Sequence, residues 1–205
     1  MKSLFFPKEL TTLHVVLSSS NVAKTNTLLN DAISIANLGR VLFVDIEGGY
    51  VHKISYPRER MKSMDETVSK NIDVITLSGE HSLNCLEYQL VNNNYAVCLI
   101  DDAFLIRTDS EEIKTSANEV LIQLYRRLNE ISENTNTPII AAIPVTFYEY
   151  ISTGAISEII HIDRVIKWDS NIVNENGNKV LTLNTSEGTF KYIQYGNKLI
   201  KSLFQ

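Results

Sequence analysis

A chain of 205 residues is long enough to bury a substantial core, and residues 1–205 are expected to form a single domain. The 44% apolar and 21% charged shares are those of an ordinary soluble globule. No run of about eighteen apolar residues reads as a membrane span, and Met1–Pro7 is too short for a secretory signal. The net charge of −5 excludes, at the level of the total, affinity for nucleic acid through a broad basic surface. Cys85 and Cys98 build no disulfide framework, and four scattered histidines show no metal-ligand spacing. Both cysteines are read as reduced, in a cytoplasmic protein.

Strand-like and helix-like segments alternate along the chain, the pattern of a mostly parallel sheet with crossover helices. Leu13–Leu17 reads as a first strand. Lys24–Leu38 reads as a helix, with Leu28, Leu29, Ala32, Ile33 and Ala36 at helical spacing and Gly39 as its stop. Val41–Asp45 is a continuous apolar strand ending in a carboxylate, as a strand buried on both faces requires. Ile72–Leu77 is a third strand and Tyr95–Ile100 a fourth, followed by Asp101 and Asp102. A long helix over about 117–133 places Ala117, Leu121, Leu124, Leu128 and Ile131 on one seam, and Pro138–Pro144 is a fifth strand. Then the texture changes. Arg164–Trp168, Lys179–Leu183 and Phe190–Tyr195 are short, separated by turn residues such as Asn176-Gly177 and Glu187-Gly188, and read as antiparallel strands extending one edge of the sheet.

Between the first strand and the first helix lies Ser18-Ser19-Ser20-Asn21-Val22-Ala23-Lys24-Thr25. These residues occupy the place of the phosphate-binding pattern G-x-x-x-x-G-K-[ST]. In that role Lys24 contacts the β- and γ-phosphates, Thr25 holds Mg²⁺, and the helix N-terminus adds amides and its positive dipole end. Both glycine positions are substituted, by Ser18 and Ala23. Glycine serves there because it tolerates left-handed angles, and a Cβ forced into them costs about 1–2 kcal/mol. The plainer reading is a capping loop before a helix that happens to begin Lys-Thr. Two carboxylates add context. Asp101 closes an apolar strand where a phosphate-loop protein keeps the acid that orients Mg²⁺, and Glu47 follows another strand end, placed to activate a water as general base.

The run Val41-Leu42-Phe43-Val44-Asp45-Ile46-Glu47-Gly48-Gly49-Tyr50 resembles V-x-Y-V-D-T-E-G-G-F of the RecA family of recombinases. Cys98-Leu99-Ile100-Asp101-Asp102 is similar to that family's V-V-V-D-S, and Asn136–Val145 to its N-x-P-V-I-V-I-N-Q-V. The closing section is echoed by Gly154–Trp168 and Tyr192–Ile200, so the likeness spans nearly the whole chain. It is closest to the short archaeal paralogues called RadB. The resemblance implies a RecA-like P-loop core without the N-terminal helical DNA-binding domain. It also implies an ATP and Mg²⁺ site made by residues 18–25, Glu47 and Asp101, and a partner that is a recombinase or another RecA-like paralogue.

The departures are informative. Ile143-Pro144 replaces the family's Asn-Gln, which senses the γ-phosphate, and residues 146–154 carry Glu149 but no Lys or Arg. The aromatics Phe147, Tyr148 and Tyr150 in that segment either stack on single-stranded bases or pack on the domain or a partner. Lys53, Arg58, Arg60, Lys62 and Lys70 cluster, yet Glu59, Asp65 and Glu66 lie among them, the composition of a solvated mixed-charge face. Direct DNA binding is therefore expected to be weak. The expectation is an accessory protein of DNA repair and homologous recombination, binding ATP weakly and lacking strand exchange. The alternatives are an inactive interaction subunit and an unrelated P-loop protein such as a kinase or partitioning ATPase.

Overall fold

The computed structural model describes residues 13–18, 21–46, 57, 61–62, 64–77, 81–103, 106, 117–144, 161–173, 179–185, 188–195 and 198–201. In chain order these form β1 (Leu13–Ser18), α1 (Asn21–Ile35), β2 (Val41–Asp45), α2 (Glu66–Ser69) and β3 (Ile72–Thr76). Then come α3 (Ser82–Asn92), β4 (Val97–Asp101), α4 (Ala117–Thr135) and β5 (Ile139–Pro144). The strands β6 (His161–Val173), β7 (Lys179–Thr185), β8 (Gly188–Tyr195) and β9 (Lys198–Lys201) close the series.

One sheet contains all nine strands in the order β3-β2-β4-β5-β1-β6-β7-β8-β9. From β3 to β1 every pairing is parallel. The connections are crossover helices, and these cover both faces. Alternation along each strand splits the apolar side chains between two cores. In β2, Val41 and Phe43 join Leu28, Leu29, Ala32 and Ile35 of α1, whereas Leu42 and Val44 join the other side, built by α3 and α4. Each fully buried aliphatic side chain contributes about 1.5–3 kcal/mol, which is why β2 and β4 carry no charged residue until their last position. β6 is longer than the pattern at Arg164–Trp168 predicts, and it joins β1 in parallel with a register shift between Val15 and Val16. β7, β8 and β9 follow as antiparallel neighbours.

Leu121, Leu124, Leu128 and Ile131 of α4 are buried, as their spacing predicts. Tyr125 joins them, its hydroxyl without a hydrogen-bond partner among the described residues, and burial pushes its ionisation upward. α4 ends on Asn136 at φ 50, a left-handed residue just past the helix that asparagine tolerates. The pattern assigns no element to Ser82–Asn92, which is α3.

At the N-terminal ends of β2, β3 and β4 the chain packs tightly. The Arg40 guanidinium pairs with Asp73 at 2.6 Å and lies 5.0 Å from the centre of the Tyr95 ring, while the Tyr95 hydroxyl donates to the same carboxylate at 2.9 Å. Ala96 N donates to Arg40 O at 2.7 Å, and a Cβ on Gly39 would stand 2.8 Å from the Ala96 Cβ. Gly39 is thus required by close approach. Gly39→Ala is expected to destabilise by about 1–3 kcal/mol. Adding Ala96→Gly should recover part of that loss, a coupling that denaturant titration of both single variants and the double variant measures.

Burial, and then the hydrogen bond to Asp73, push the Tyr95 hydroxyl up to about 12, and burial pushes the Cys98 thiol up as well. Both groups are held neutral by the fold. The stability they contribute is complete below the unfolded values of 9.0 for the thiol and 10.0 for the phenol, and is lost as pH rises through the folded ones. The unfolding midpoint should therefore fall with rising alkaline pH, and Tyr95→Phe should reduce the slope as pH approaches about 12.

Candidate functional site

The candidate site lies at the C-terminal ends of the parallel strands. β1 ends at Ser18 and α1 begins at Asn21, so only Ser19 and Ser20 connect them. The helix starts three residues before the predicted Lys24 and ends at Ile35 rather than Leu38. Asn21, Val22, Ala23 and Lys24 therefore belong to the helix rather than to a loop that encircles an anion. Among the described residues the non-glycine positions with positive φ are Asp102 and Asn136, so neither Ser18 nor Ala23 is left-handed. An anion nest needs alternating right- and left-handed residues, and Ala23 supplies no such geometry. What α1 offers is an ordinary helix start, with amide groups that have no intrahelical partner.

One turn into α1, the Thr25 hydroxyl donates to the Asp101 carboxylate. The strand order makes this contact informative. β4 is separated from β1 by β5, so α1 must reach across β5 to touch Asp101. Ala142 makes that reach possible. It is buried in the same core as Leu28 and Leu29 of α1, one position beyond the Ile100–Ala141 register pair and hence level with Asp101. A methyl group there lets α1 lie close to the sheet.

Asp45 stands beside Asp101 as its register partner on β2, and both are buried. Strand alternation puts the two carboxylates on the α1 face with Phe43 and Leu99. Asp102, also buried, follows at φ 54, a left-handed angle that costs a non-glycine residue about 1–3 kcal/mol and that aspartate adopts more readily than most. Neighbouring carboxylates in a low-dielectric setting need donors, and the Thr25 hydroxyl is one of these. Among the described residues no three carboxylate, imidazole or thiol groups converge as metal ligands.

Of the residues singled out by sequence, the structure brings Thr25 and Asp101 together. Ser18 is placed at the end of β1, level with Pro144 of β5. Glu47, Gly48, Gly49, Ser19, Ser20 and residues 146–154 lie outside the described residues, as do the side chains of Ser18 and 21–24. The same holds for Lys53, Arg58 and Arg60. Asp45 as a neighbour of Asp101, and the left-handed Asp102, escaped sequence reasoning. The signal available for them was an acid closing each of two apolar runs, with a second acid after Asp101.

No protein-family model matches the chain, and no curated protein matches it. Among solved structures it is similar to a DnaB-like replicative helicase, described together with its interactions with primase. The TM-score is 0.63 over 92% of this chain, at 12% identity. The fold is RecA-like. The likeness covers 57% of the helicase chain, just over half of its length, and at that identity it defines architecture alone. Among the described residues no helix is long and apolar enough to cross a membrane.

The Thr25–Asp101 contact gives a direct test. Thr25→Val removes the donor to a buried carboxylate and is expected to cost about 1.5–3 kcal/mol in chemical unfolding, whereas Thr25→Ser should retain most of the stability.

Proposed function

We propose that this chain is a RecA-fold accessory protein of DNA repair and homologous recombination, of the RadB kind. It keeps a residual ATP·Mg²⁺ site and carries out no strand exchange. The observation that supports the reading is the hydrogen bond between Thr25 and Asp101. The hydroxyl that follows the phosphate-loop lysine and the acid that closes β4 meet across β5, as a nucleotide-bound Mg²⁺ would require of them. Both are hard oxygen ligands and fit that ion, whose remaining positions nucleotide phosphates and water would fill. The two-residue connection and the helical Ala23 fit a wrapped phosphate cradle poorly, so binding is weak.

In this reading Lys24 neutralises phosphate charge at the start of α1, Thr25 and Asp101 hold the metal, and Glu47 orients a water as general base. When bound, Mg²⁺ supplies charge neutralisation on the phosphates. The loss of the Asn-Gln sensor to Ile143-Pro144 leaves bound nucleotide uncoupled from any DNA loop, and turnover is slow. The chain acts in the cytoplasm on a recombinase or another RecA-like paralogue. Its charge of −5 leaves direct DNA affinity low. A second reading, an inactive interaction subunit, draws on the same two-residue connection, which leaves the phosphates without a cradle.

Thermal unfolding separates the two. With ATP·Mg²⁺ roughly tenfold above its Kd, the melting temperature should rise by about 3–5 °C. Lys24→Ala and Asp101→Asn should each remove that rise. No rise at millimolar ATP, with co-purification of a RecA-like partner intact, would overturn the nucleotide site and leave the interaction subunit.

A further inference from the structure

At the opposite end of the strands, α3 and α4 finish side by side on one face of the sheet and open into a cleft of about 500 Å³. It is lined by the last residues of both helices and the turns that lead into β4 and β5. Five of the lining residues are asparagines: Asn92, Asn93, Asn94, Asn134 and Asn136. No lining residue is charged.

Three observations give the cleft a sign. Helix C-termini carry the negative end of the dipole, and a Lys, Arg or His in the last turn usually answers it. Neither α3 nor α4 has a basic residue there, and α4 carries Glu133 instead, exposed and accepting from Asn129 at 2.9 Å. The amides of Asn92 and Asn93 turn back onto the carbonyls of Tyr88 and Gln89, at 2.7 and 2.9 Å. Among the described residues, no donor from outside the helices reaches the carbonyls of Val91, Asn92 and Asn134. Among the described residues, Arg127 pairs with Glu87 and Glu130, and Arg40 pairs with Asp73 while lying against the Tyr95 ring at the edge of the cleft. The cleft therefore gathers helix-end carbonyls and asparagine oxygens, with no charged residue in its lining. Beside it, Val91 and Tyr88 stand one turn apart on α3, 65% and 67% exposed, the apolar shoulder that accompanies a buried anchor in protein interfaces.

We propose that this cleft is the docking site for an arginine side chain presented by a basic segment of a partner protein. The guanidinium is held by the helix-end carbonyls and asparagine oxygens, and an apolar residue of the same segment rests on Tyr88 and Val91. Arginine suits the site because its planar fork offers five donors and no acceptor, matching a cleft rich in carbonyl oxygen. The site is independent of the nucleotide reading, since it lies at the other end of the strands from Thr25 and Asp101.

The test uses the full chain and the blocked tripeptide acetyl-Leu-Arg-Leu-amide, with its citrulline counterpart as a neutral isostere, followed by amide chemical shifts. The arginine peptide should move the signals of Asn94, Tyr95 and Asn136, and the citrulline peptide should bind at least tenfold more weakly. Asn94→Lys or Asn134→Lys, both at exposed positions, places a cation in the cleft and should abolish the shifts with the melting temperature unchanged. Glu133→Gln should weaken binding several-fold. Equal binding of the citrulline peptide, shifts that survive both lysine variants, or no shift at millimolar peptide would overturn the proposal. Free arginine binding as tightly as the peptide would overturn the assignment to a partner protein.

Discussion

A parallel strand covered by helices on both faces has room for polar chemistry only at its two ends. β2 and β4 show the constraint directly: all five residues of each are buried, four of them apolar, and the polar one is the last. Among the described residues the two cores cover the faces of these strands, and the three polar features described above sit at strand ends. The acid–hydroxyl pair is at the C-terminal end. The Arg40–Asp73–Tyr95 group and the asparagine cleft are at the N-terminal end. Even the reach of α1 to Asp101 depends on this burial, because it requires a residue as small as Ala142 in the intervening strand.

The missing glycines and the short connection after β1 are one feature seen at two levels. Glycine is needed in a phosphate loop where the backbone turns left-handed. Here α1 starts at Asn21, and Ala23 takes helical angles, for which alanine has the highest propensity of any residue. Ser18 ends a strand, where a side chain costs nothing in backbone strain. Local preference and the observed conformation agree, which is the mark of a sequence settled in this geometry rather than one straining toward a wrapped loop. Among the described residues at this end of the sheet, the left-handed one is Asp102, beside the acid.

Much of the fold was legible because two-sided burial writes itself into sequence as unbroken apolar runs. Val41–Val44, Val97–Ile100 and Ile139–Ile143 could be placed without ambiguity, and Thr25 and Asp101 could be paired as candidates from their positions at the edges of such runs. The start of α1 was misread because Ser18-Ser19-Ser20-Asn21 suits both a helix cap and a phosphate loop, and the motif drew the boundary to Lys24. α3 was missed because its exposed Tyr88 and Val91 blur the apolar stripe that Leu83, Leu86 and Leu90 would otherwise show. The cleft was illegible for a different reason. Its two walls are about forty residues apart in the chain, and runs of asparagine read locally as turn residues and nothing more.

In the proposed reading, the contact between Thr25 and Asp101 also bears on how the site would hold a metal ion. The hydroxyl gives its one proton to the carboxylate and keeps its lone pairs, so it could offer one to an ion without breaking that bond. The pair would therefore be aligned before any ligand arrives. A full phosphate cradle would add several backbone amides around the phosphates; a plain helix start offers fewer of them. The weakness proposed for nucleotide binding therefore follows from the missing cradle rather than from the acid–hydroxyl pair.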